Sequence, residues 1–362
     1  MMSGIDPGAF RRNRKAKSAT NAATCDIQAR TAIVLGGGAP NAALMAGALA
    51  AFAERGVTFD VVSTSGAGAL MGLLWLSPKD ASPREALRSV TTMSVADAIY
   101  RWFPVNYKVF NKPGSPADLF REALASNPFL RVDPALYEAS GPYALWADLQ
   151  ALMLATVTPS ALGADSLGLC APPPFLEAIV DFDRLKDIRP AFYVNAYNID
   201  AQIIDDFAKE VITADHVRAA LAFPFIYGPF TLNGCRYYEG AVVDCLNFKD
   251  LVERHPRLER VVVFDVLGSD RLIRTPRNLY DSWVLSLVIP LVKTAEDNLE
   301  LFELKHRPAH LEVIKVPFDI PDRYLPEVLD WSESNARRLF DIGYEAGEAY
   351  AAMVRPDAAQ KP

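Results

Sequence analysis

Apolar residues enter this chain in two rhythms that alternate. Residues 31–35 (TAIVL) are a short, partly β-branched apolar run stopped by Gly36-Gly37-Gly38, and residues 42–53 are then almost wholly apolar. The first pattern predicts a strand buried on both faces, and the second a crossover helix pressed against a sheet. The rhythm repeats at once. Residues 59–63 predict a second strand, Thr64-Ser65-Gly66-Ala67-Gly68 a tight turn of small residues, and 69–76 another apolar helix that stops before Ser77-Pro78. Both turns fall where a parallel sheet presents backbone N–H groups at helix N-termini, so chemistry is expected there.

Further along, 83–93 and 95–102 read as helical, and Tyr100, Trp102, Phe103, Tyr107 and Phe110 then crowd together. Such density reads as packing, or as an aromatic cap over an apolar-ligand cleft. Frequent prolines break 111–174 into short helices such as 117–125 and 143–155, while Leu, Trp and Phe persist, so this is insertion or lid material and not a linker. Regular structure returns with an alternating strand at 191–199 and a helix within 211–222 that Thr213 can cap. Asn233-Gly234 is the best hairpin signal in the chain, and 258–267 is a buried strand of parallel type. Residues 282–304 predict a surface helix broken or kinked at Pro290, 311–316 a last strand, and 332–353 a closing helix capped at Ser332.

Composition narrows the partners more than it narrows the fold. At 362 residues and 51% apolar the chain has ample material for a core, and a net charge of −7 argues against a nucleic-acid surface. Its basic stretch, Arg11 to Lys17, lies in a polar segment without periodicity, so 1–29 reads as a disordered basic tail and 351–362 as a frayed end. Four scattered cysteines give no disulfide framework, and no apolar run reaches spanning length. A cytoplasmic protein is expected, with peripheral contact to a membrane or lipid particle as the alternative. No His/Asp/Glu/Cys cluster has ligand spacing, so neither metal nor cofactor is expected.

A reactive serine needs an exposed position on a turn, N–H donors for an oxyanion and a base within reach. The turn around Ser65 and the Gly36–Gly38 loop offer the first two. The four histidines lie outside every motif, which makes a carboxylate the economical base. Against these stand plainer readings: Thr64 and Ser65 as helix caps, and the glycines as tight packing or a nucleotide loop, the last weakened by the missing later glycines of GxGxxG.

Read together, three blocks resemble the patatin-like phospholipases, whose pattern is a GGGx[RK]G loop, a strand ending in GxSxG, and a distant DGG or DGA. Here they are Gly36-Gly37-Gly38-Ala39-Pro40-Asn41, Ser63-Thr64-Ser65-Gly66-Ala67, and Glu239-Gly240-Ala241, within similar connecting text such as FDVV, GAL, VITADHVRAALAFPFIYGPFTLNG and FDIGYEAG. The resemblance implies an α/β three-layer fold over residues 30–350, with a central mostly parallel sheet flanked by helices and a helical insertion or cap at about 95–185. It also implies lipid acyl-ester hydrolysis by a serine–carboxylate dyad, Ser65 and Glu239, with an oxyanion hole at Gly36, Gly37 and Gly38. Asp244 is the alternative carboxylate. An ungapped match places Gly66 at the family's nucleophile position, which leaves a second reading: an inactive relative whose cleft binds an acyl chain or a protein partner.

Overall fold

The computed structural model describes residues 30–354, apart from 40, 249–250, 267–269 and 328. The expected tail 1–29, most of the expected frayed end and Pro40 therefore lie outside the described residues. Eight strands form one sheet: β1 (Thr31–Leu35), β2 (Val61–Thr64), β3 (Ala191–Asn198), β4 (Ile203–Ala208), β5 (Phe230–Leu232), β6 (Cys235–Glu239), β7 (Arg260–Phe264) and β8 (Glu312–Lys315). Their order is β8-β7-β1-β2-β3-β6-β5, with β4 paired to β3. The five strands from β8 to β3 run parallel, whereas β6 joins β3 antiparallel and β5 joins β6 antiparallel. The Asn233-Gly234 turn closes that last hairpin with positive φ at both residues, as the strand twist favours.

Period-two burial separates the layers. Ile33, Leu35, Val62, Phe192, Val262 and Phe264 face the core that contains helices α1 (Ala42–Arg55), α2 (Ala67–Leu76) and α6 (Glu333–Val354). Ala32, Val34, Val61, Tyr193, Val261 and Val263 face the other side, toward α5 (Leu279–Leu301) and the Phe248–Phe302 stack. Between α2 and β3 lies a mostly helical segment whose longest members are α3 (Ser115–Ala125) and α4 (Gly141–Val157). Helix α5 continues through Pro290 without the break that the sequence allowed for, and Leu285, Val288, Val292 and Ala295 on either side of it are buried in the body of the protein. Among the described residues no helix is long and apolar enough to cross a membrane.

Helices α1 and α6 approach closely enough that backbone meets backbone. A Cβ on Gly343 would stand 2.0 Å from the Leu44 carbonyl oxygen, and one on Gly47 would stand 1.9 Å from the Phe340 carbonyl oxygen. No side-chain rotation relieves a clash with main chain, so Gly343→Ala is expected to cost about 2–3 kcal/mol. A clear fall in the thermal midpoint by circular dichroism checks this; an unchanged midpoint contradicts the packing described.

Candidate functional site

Because β1 and β2 are parallel neighbours, with Leu35 in register with Thr64, the glycine loop and the small-residue turn emerge side by side at the carboxyl ends of two central strands. The loop is tied down on two sides: Gly36 N–H donates to the Phe264 carbonyl and Gly37 N–H to the Cys245 carbonyl, each at 3.1 Å. Helix α2 starts two residues earlier than its apolar pattern suggests. Gly68 allows this, since a Cβ there would lie 2.2 Å from the Leu35 carbonyl oxygen.

At the apex stands Gly66, with φ 50 and ψ −128, a backbone conformation open to glycine and strained for other residues. The hydroxyls before it all point into the protein. Ser63 Oγ donates to the Asn247 carbonyl at 2.9 Å, Thr64 Oγ1 to the Tyr193 carbonyl at 2.7 Å, and Ser65 Oγ to the Asp244 carbonyl at 2.9 Å. Ser65 is 0% exposed. Its hydroxyl proton is thus spent on a backbone carbonyl, and its oxygen is closed to solvent.

Glu239, the last residue of β6, is buried beneath the apex. A Cβ built on Gly66 would sit 2.0 Å from Glu239 Oε1, and one built on Gly37 would sit 3.6 Å from the same oxygen. The carboxyl group thus occupies the volume into which a nucleophile's side chain would project. Burial pushes its pKa up to about 8, so the neutral acid dominates at neutral pH. The following residues close the pocket around it: a Cβ on Gly37 would touch that of Ala241 at 2.6 Å, and a Cβ on Gly240 would strike Asn195 Oδ1 at 2.2 Å.

Asp244 serves the loop. Its Oδ1 accepts the Asn247 N–H at 2.9 Å, while its carbonyl accepts from both Ser65 Oγ and Asn195 Nδ2. Of the three glycines only Gly38, at φ 133, keeps an N–H without a backbone acceptor among the described residues. Asn41 is buried, donates from Nδ2 to the Val266 carbonyl at 3.2 Å, and its Oδ1 has no partner among the described residues. Two other nucleophile arrangements are unsupported. Cys245 is buried and burial raises its thiol pKa, so no thiolate forms near neutral pH. His216 lies beside the Thr213 hydroxyl and His255 beside Tyr193 OH.

Sequence reasoning missed a second buried polar group, in the helical segment between α2 and β3. Asp148 on α4, 1% exposed, accepts from Ala96 N–H at 2.6 Å, from Tyr137 OH at 3.0 Å and from Lys108 Nζ at 2.5 Å. The available signal was a lone carboxylate inside the apolar stretch 144–154; its partner, forty residues upstream, carries no local mark.

A family model described as patatin-like phospholipase matches residues 33–252. Among solved structures, the crystal structure of VipD from Legionella pneumophila aligns over 90% of this chain and 67% of that one, at 12% identity and a TM-score of 0.36. Comparison with curated proteins gave no match.

Proposed function

We propose, from the premise that this chain belongs to the patatin-like phospholipase family, that it is a non-hydrolytic member, one that holds a lipid acyl chain without cleaving it. Membership supports lipid acyl hydrolysis only at the level of the family. The observation that carries the narrower reading is Glu239 Oε1, 2.0 Å from the point where a side chain on Gly66 would begin. Acyl transfer requires a hydroxyl at the apex, an ionised base to take its proton and free N–H donors for the oxyanion. In this chain the apex residue has no side chain, the carboxyl group is held largely neutral, and two of the three loop amides already have acceptors. A dyad of Ser65 and Glu239 would need Ser65 Oγ to release the Asp244 carbonyl and turn outward. Side chains of successive residues at a strand end point to opposite faces, so that change requires the backbone to be rebuilt through Gly66.

Labelling decides between the two readings. Purified full-length protein is expected to show no covalent labelling by a fluorophosphonate probe, and no more turnover of a p-nitrophenyl acyl ester than Ser65→Ala shows. Labelling that disappears in Ser65→Ala and falls in Glu239→Ala would instead establish the dyad.

A further inference from the structure

The helical segment between α2 and β3 lines a half-open cavity of about 830 Å³, within the usual range for small-molecule sites. None of its lining residues belongs to the glycine loop, the turn at 63–68 or the segment 239–244, so it is separate from the closed apex. We propose that this cavity is a receptor for a single long acyl chain ending in an anion, in the first instance a fatty carboxylate, with the chain among the apolar walls and the head on Lys112. The choice of ligand class rests on the non-hydrolytic, acyl-holding reading above, whereas the site itself is argued from its own residues.

Apolar walls come from Phe103, Val105, Phe110, Leu124, Leu152 and Leu154. Phe103, Val105 and Val132 are 45%, 42% and 41% exposed, which gives the cavity an apolar mouth open to solvent. Such a rim admits hydrocarbon and offers nothing to a sugar or nucleotide.

The charged lining is unequal: three cations, Lys108, Lys112 and Arg121, against one carboxylate, Asp148. Lys108 is spent, bonded to Asp148, to the carbonyls of Thr92 at 3.1 Å and Ser94 at 2.6 Å, and to Tyr137 OH at 2.8 Å. Arg121 is divided between Asp118 and the Lys112 carbonyl. Lys112 differs from both. Its Nζ donates to the Thr156 and Thr158 carbonyls, each at 2.9 Å, and no carboxylate pairs with it among the described residues. An ammonium has three N–H bonds, so one donor and the full charge remain for a ligand. The two carbonyls fix where that donor points, and the Lys108–Asp148 pair makes a rigid, satisfied polar wall that asks nothing of the ligand.

Titrating the full-length protein with parinaric acid, a fluorescent 18-carbon fatty acid, tests the site. Saturable one-to-one binding displaced by palmitate is expected. Lys112→Met keeps the stem of the side chain and removes its ammonium group; it is expected to weaken fatty-acid binding by about tenfold or more while leaving displacement by the matching fatty alcohol unchanged. Ala155→Trp, with native circular dichroism and melting, is expected to abolish binding of both ligands by filling the cavity. Lysophosphatidate competing better than palmitate would assign the head as a phosphate on the same site. The proposal is overturned if the wild type shows no saturable binding, if Lys112→Met weakens acid and alcohol alike, or if folded Ala155→Trp binds as well as wild type. These readouts are of binding, so they stand or fall separately from covalent labelling at the apex.

Discussion

If the chain is non-hydrolytic as proposed, Gly66→Ser combined with Glu239→Asp is expected to create a labelling and esterase activity above that of the parent. The single change Gly66→Ser places a Cβ 2.0 Å from Glu239 Oε1, so the serine can enter only by driving a buried side chain aside. Overpacking of that kind costs about 1–3 kcal/mol and leaves the new hydroxyl jammed against an acid that is mostly neutral. Shortening Glu239 by one methylene removes the overlap and draws the carboxyl group back to hydrogen-bonding range of a serine at the apex. A positioned general base contributes roughly 10²–10⁴-fold, so the double variant should react with a fluorophosphonate at least about 10²-fold faster than wild type or Gly66→Ser. Mass spectrometry should place the adduct on residue 66. If the double variant melts like the wild type and still fails to label, the position of Glu239 is not what closes this site.

Replacing Glu239 by Gln should reverse the alkaline loss of stability that the buried acid imposes. Its pKa is about 8 in the folded protein against an ordinary 4.5, and burial is the cause. Below about pH 4.5 both states hold the proton and burial of the acid adds no pH dependence. Between there and about pH 8 the unfolded chain has released its proton while the folded chain keeps it, so stability falls as pH rises; above about pH 8 the loss is complete. The amide of Gln does not titrate. The stability advantage of Glu239→Gln over wild type should therefore be larger at pH 9 than at pH 5 by on the order of 4 kcal/mol, read from guanidinium unfolding at the two pH values. Parallel pH profiles for the two proteins would mean that Glu239 is ionised in the folded state, and the case against an active carboxylate would weaken with it.

Much of the scaffold is legible along the chain because its signals are local. A strand buried on both faces has to be apolar without interruption, as 32–35 and 261–264 are, and a helix against a sheet has to be apolar around most of its girth, as 42–53 is. Glycine before α2 is equally local, since positive φ is costly for any residue with a Cβ. Boundaries shifted where contact overrode pattern: α2 begins at Ala67 because Gly68 lets the helix press against the end of β1, and α5 runs on past Pro290 because its flanking residues are buried.

The site divides along the same line. By itself the sequence determined that two turns rich in small residues follow two buried strands of parallel type, and that a glutamate heads the third block. Only the tertiary structure decided what those residues face. Ser65 meets the Asp244 carbonyl across 179 positions, Glu239 reaches Gly66 across 173, and Lys108 meets Asp148 across forty. Direction and distance between such groups are set by strand register and by how closely backbones approach, properties of the whole packed chain that no window of residues contains. One carboxyl oxygen, placed where a nucleophile's side chain would stand, is the outcome of that packing.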